Sequence, residues 1–164
     1  MNKQRFVLLD RTFVLALLAG DDPAHASAMR IYSTLVDRYE DGDDVLFAAS
    51  TVLQGVPREF RSVTLAPVAT LWVAHQHRVA ARRVRDSVTP EVAIELVLLQ
   101  RERIRTIATA SPVFDRYELT VLRADAMPES AVPAGAAAVE AGAAHDELIS
   151  SRTAPQPAQR FAAE

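Results

Sequence analysis

Short apolar runs alternate with amphipathic stretches along the first 125 residues. Phe6-Val7-Leu8-Leu9 is apolar at every position and stops at Asp10, the pattern of a strand buried on both faces. Val45-Leu46-Phe47-Ala48, Arg105-Thr106-Ile107-Ala108-Thr109 and Leu119-Thr120-Val121-Leu122 read as three more short strands. Thr12 is placed to cap a helix from Phe13 to Ala19, which Gly20 ends. Asp21-Asp22-Pro23 signals another helix start, after which Ala26, Met29, Ile31, Tyr32, Leu35 and Val36 recur at three-to-four spacing as far as Tyr39. Ser50 or Thr51 caps a helix from Val52 to Phe60, bent at Pro57. The stretch from Val63 to Arg85 reads as mostly helical. Leu65, Val68, Leu71, Trp72, Val79 and Val84 are its apolar members, with Trp72 assigned to the core. Thr89-Pro90-Glu91 opens a last helix, which runs to about Arg103. Strands alternating with helices predict a three-layer α/β/α fold around a central parallel sheet of four to five strands.

Composition divides the chain at Asp125. Residues 126–164 are rich in Ala, Pro, Glu, Gly and Ser and nearly free of large apolar side chains, which predicts a disordered tail after an α/β domain of residues 1–125. The net charge of −3 sits in that tail, where Glu129, Glu140, Asp146, Glu147 and Glu164 outweigh Arg152 and Arg160. The domain itself is balanced, which argues against a protein that coats nucleic acid through bulk positive charge. Lys3 is the only lysine, and every other basic side chain is arginine. Without cysteine, disulfides and thiolate zinc sites are excluded. No apolar run approaches a membrane span, and the four apolar residues after the basic start are too few for a signal-peptide core. A cytoplasmic location is the expectation.

In a parallel sheet, functional groups gather at the carboxyl ends of the strands. Asp10 lies at such an end, as do Ser50, Thr51, Ala110 and Ser111. A carboxylate there is either a divalent-metal ligand or simply the cap of the following helix. The acidic run Glu40-Asp41-Gly42-Asp43-Asp44 lacks the spacing of a calcium loop and reads as solvated. His75 and His77, two apart on a helix, face different ways and read as a partly exposed pair. Arg78, Arg82 and Arg85 share one helical face that could follow a phosphate backbone or pair with the acidic run. No Gly-x-Ser-x-Gly elbow and no Gly-rich phosphate loop is present.

Two segments carry a family resemblance. Val7 to Leu18, followed by Asp21-Asp22-Pro23 and His25, resembles the opening of PIN domains, in which a hydrophobic strand ends in Asp before an apolar helix. Ile104 to Thr109, Phe114-Asp115-Arg116-Tyr117 and Leu119 to Leu122 are similar to that family's closing strand, loop and last strand. The resemblance spans roughly residues 5–123 and implies a parallel sheet with the first strand at its centre. It also implies several carboxylates holding Mg²⁺ or Mn²⁺ for hydrolysis of RNA, as in VapC-type toxin ribonucleases.

Matched by position, the acidic set is thinned. Asp10 fills the first place. The second falls at Gln54 or Gly55, the third at Val92 and the fourth at Ser111. Glu91 adjoins the third place, and Glu95 lies one turn further on the same face. Asp115 matches a position that is not a ligand. Arg11 brings a positive charge beside Asp10, where it opposes a cation and can pair with Asp10 itself. The expectation is a degenerate, non-catalytic PIN-like protein that needs no cofactor and acts by binding RNA or a protein partner such as an antitoxin-like peptide. The alternative is a Mg- or Mn-dependent endoribonuclease in which Asp10 and Glu91 act and Asp10, Glu91 and Glu95 hold the metal. The resemblance also admits a homodimer.

Overall fold

The computed structural model describes residues 4–84 and 87–125; the expected tail and Arg85 lie outside them. Five strands form one all-parallel sheet: β1 (Arg5–Leu9), β2 (Asp44–Ala49), β3 (Val68–Leu71), β4 (Thr106–Thr109) and β5 (Thr120–Arg123). Their order is β3-β2-β1-β4-β5, so β1 is central, as the PIN resemblance requires. The chain leaves β1 for β2 on one side and later adds β4 on the other. The sheet's switch point therefore lies between the carboxyl ends of β1 and β4, where Asp10 follows Leu9 and Ala110 follows Thr109.

Alternation along β1 sorts the helices into two layers. Val7 and Leu9 face a cluster containing Phe13, Val14 and Leu17 of α1 (Arg11–Leu18), Ala28, Tyr32 and Leu35 of α2 (His25–Glu40), and Leu53 of α3 (Ser50–Gln54). Leu8 faces the opposite cluster, with Ile107, Phe114 and Leu99 of α6 (Pro90–Arg101). Burying both faces explains why β1 has no polar residue after Arg5. A third cluster, Ala81, Ala93 and Val97, joins α5 (His75–Val84) to α6.

The caps differ from the expected ones in informative ways. Asp10 rather than Thr12 caps α1: its carboxylate accepts from Phe13 N–H at 2.8 Å. Asp22 turns the chain first, accepting from Ala24 N–H, and α2 starts only at His25. Pro57 separates α3 from a further short helix, α4 (Arg58–Val63), instead of bending one helix. Thr89 and Pro90 start α6 as expected.

Helix α6 stops at Arg101, earlier than expected, because Arg103 takes a left-handed φ of 55°. That turn lets Ile104 N–H donate to Leu99 O at 2.9 Å and closes the helix. A side chain in this region costs about 1 kcal/mol relative to glycine. Arg103→Gly should accordingly stabilise the domain by about 0.5–1 kcal/mol in urea unfolding, and a loss would show that the arginine makes compensating contacts.

The acidic run at 40–44 is not wholly solvated. Asp44 is 1% exposed and opens β2 between two arginines, Arg5 and Arg38. Burial pushes its carboxyl up, but the hydrogen bonds from Arg5 and Arg38 outweigh this and hold it below the ordinary carboxylate range. The acidic run is thus paired with arginines of β1 and α2.

The 63–85 stretch departs most from expectation. It holds α4, the edge strand β3 and α5. Only Val68 and Leu71 of β3 are partly buried, and the other two residues are exposed. Trp72, assigned to the core, is 74% exposed. His75 is exposed but His77 is buried; its Nδ1 accepts from Ala74 N–H at 3.1 Å, at the start of α5.

Candidate functional site

The switch point places Asp10 at the floor of the candidate site, 1% exposed. Its own N–H donates to Ala108 O at 3.0 Å, tying the turn into α1 to β4. Thr12 Oγ1 lies 2.9 Å from both carboxylate oxygens, and Thr109 Oγ1 donates to Oδ2 at 2.9 Å. With Phe13 N–H on Oδ1, each oxygen already accepts from two donors. Both threonines also organise the β4 end: Ala110 N–H donates to Thr12 Oγ1, and Ser111 N–H to Thr109 Oγ1. Burial raises the Asp10 carboxyl above its ordinary range, and these hydrogen bonds hold it partly down.

Glu95 comes to this floor from α6 and is 3% exposed. Arg11 N–H donates to its Oε1 at 3.0 Å. Burial first, then the neighbouring Asp10 charge, pushes the Glu95 carboxyl up to about 8, against the lowering effect of the Arg11 bond and charge. Glu95 is therefore mainly protonated at neutral pH. Glu91, one turn earlier, stays at the rim. Its side chain is 54% exposed and sits 3.9 Å from Arg11 Nη1. The ion pair of Arg11 is thus with Glu91, where sequence admitted one with Asp10.

Above these groups is a cavity of about 320 Å³, walled by Val14 and Leu15 of α1, Thr51 and Val52 of α3, Gly55 and Val56, with Arg11, Glu91 and Glu95 on its far side. Gly55 belongs to the pair that stands where an acid was sought, and it presents no carboxylate. Ser111, at the last acid position, spends its hydroxyl on capping the 3-10 helix Pro112–Arg116, accepting from Val113 N–H. Asp115 pairs with Arg123. Among the described residues, no three His, Asp or Glu side chains come close enough together to hold a metal ion. A hydrated divalent cation needs several charged oxygens free to bind it. The buried acids here are one carboxylate whose oxygens are already hydrogen-bonded and one protonated carboxyl, so this arrangement does not fit Mg²⁺ or Mn²⁺.

Structure thus brings Asp10 and Glu95 together and leaves Glu91 outside them. Thr12 and Thr109 complete the site. The Thr109 contact with Asp10 bridges 99 residues and has no local sequence signal. Arg78 and Arg82 are exposed on α5 and line a separate cleft of about 190 Å³ with Pro90 and Ile94 of α6.

Comparison with solved structures finds the same architecture in VapC20 of Mycobacterium tuberculosis, a toxin that cleaves the sarcin–ricin loop. The TM-score is 0.53 at 15% identity, over 70% of this chain and 98% of that one. The fold is PIN-like. No protein-family model matches the sequence, and neither does any curated protein. The PIN-like core thus persists without detectable sequence kinship, as expected when packing and functional residues vary independently. No helix among the described residues is long and apolar enough to cross a membrane.

Proposed function

We propose that this PIN-like domain acts by binding at the carboxyl edge of its sheet, RNA being the first candidate and a protein partner the second, rather than by metal-dependent cleavage. One observation carries this reading: both oxygens of Asp10 are occupied by donors from within the chain. Asp10 then serves as a structural joint between β1, α1 and β4. Arg11 supports the same reading, since its guanidinium lies against Glu91 at the mouth of the cavity and favours an anionic visitor over a cation.

Free Mn²⁺, followed by its electron paramagnetic resonance signal, tests this without knowledge of any ligand. The expected result is no stoichiometric uptake up to millimolar metal, in the wild type or in Asp10→Asn.

A second reading is a divalent-metal endoribonuclease, as VapC20 cleaves RNA. It is favoured by the meeting of Glu95 with Asp10 at the switch point, where a protonated Glu95 would have to ionise as metal entered. Stoichiometric Mn²⁺ binding that rises with pH and disappears in Glu95→Gln would put this reading first.

A further inference from the structure

Trp72 is the chain's one tryptophan and stands out from the surface at the carboxyl edge. It directly follows Leu71, which pairs in register with Ala49 at the end of β2. Side chains from elsewhere pin the loop that carries it. Val73 N–H donates to the buried Ser50 Oγ at 3.0 Å, and Ala74 N–H donates to the buried His77 Nδ1. A large apolar ring held out in water on a fixed loop serves nothing in the core and marks a contact surface.

Its neighbours indicate what is contacted. Val68 packs against the α1–α3 side of the sheet, so alternation puts Thr70 and Trp72 on that side as well. Thr70 lines a cavity of about 440 Å³ together with Arg58, Arg61 and Ser62 of α4. No carboxylate lines it; Glu59, exposed on the same helix, points elsewhere. Among the described residues neither arginine forms an ion pair. An apolar protein partner would want an apolar rim around the indole, whereas this one is cationic and hydroxyl-bearing.

We propose that Trp72, Arg58 and Arg61 form a subsite for single-stranded nucleic acid, an unpaired base stacking on the indole while adjacent phosphates lie against the two guanidiniums. The subsite rests on the RNA-binding reading above and extends it. The β3 edge lies two strands, about 10 Å, from Asp10, so one strand of RNA would cross the whole carboxyl edge.

As the only tryptophan, Trp72 reports its own occupancy. The test titrates the full chain with an end-labelled oligouridine of about 12 nucleotides, following label anisotropy and tryptophan emission together. Emission should be quenched in step with the anisotropy rise. Trp72→Ala should weaken binding roughly tenfold and Trp72→Phe much less. Arg58→Ala with Arg61→Ala should weaken it and flatten its salt dependence. Circular dichroism checks that each exposed-site variant is folded. Binding with unchanged emission and unweakened Trp72→Ala overturns the subsite and leaves RNA binding standing. An unchanged anisotropy at low salt overturns RNA binding itself. An emission shift that depends on protein concentration without RNA overturns the subsite in favour of a face between copies of the chain.

Discussion

Asp10→Ala lowers the stability of the domain by about 3 kcal/mol in urea unfolding, with no metal present. The substitution removes the cap from α1 and leaves Phe13 N–H without its acceptor. The Thr12 and Thr109 hydroxyls lose their common partner as well. A cap is worth about 1 kcal/mol, and each buried donor left unpaired costs about 1–3 kcal/mol. Relief of burying a carboxyl offsets part of this, since burial already pushes the Asp10 pKa up. Asp10→Asn keeps an acceptor for Phe13 and should cost about 1 kcal/mol, which makes it the better variant for functional assays. A loss below that for Asp10→Ala would mean that the buried network is not formed in solution. Lost activity in the alanine variant therefore cannot be read as loss of a metal ligand until its folding has been measured.

The second large effect is on pH dependence. Glu95 has an ordinary pKa of 4.5 and is pushed up to about 8 in the fold, by burial first and then by the Asp10 charge. Between those values the folded chain holds a proton that the unfolded chain has released. Stability from this group is complete below pH 4.5 and falls as pH rises to about 8. Glu95→Gln keeps an oxygen to accept from Arg11 N–H and carries no charge to bury. At pH 8.5 the variant should exceed the wild type by on the order of 2 kcal/mol, while near pH 4.5 the two should be nearly equal. Melting curves at a series of pH values decide it. Parallel profiles for the two proteins would show that Glu95 is ionised throughout and would restore it as a candidate ligand.

Four of the five strands were legible in the sequence because each carries a short, mostly apolar run. Val68-Ala69-Thr70-Leu71 was not: it is an edge strand with half its residues in water, and its two packed residues reach opposite layers. Spacing of three between Val68 and Leu71 then imitates a helix. Misreading that strand also buried Trp72 on paper. Asp10 was legible because a lone carboxylate after an apolar strand has few bland explanations. Glu91 and Glu95 share a helical face, so periodicity could not choose between them. The choice is made by how far each reaches under α1, a property of α6 packing. The roles of Thr12 and Thr109 depend on β1 and β4 lying side by side, and no local pattern announces that.

The central place of β1 has a consequence for synthesis. β1 is the first element to leave the ribosome, yet one of its two neighbours, β4, is made about 100 residues later. Until β4 arrives, one edge of β1 is open, and the hydroxyl of Thr109 cannot meet Asp10. Closing so long a loop makes this among the last and slowest contacts to form. The carboxyl-edge site is thus a certificate of completion: a chain stopped before residue 106 carries Asp10 but no site, and any ligand that needs the site recognises only finished molecules.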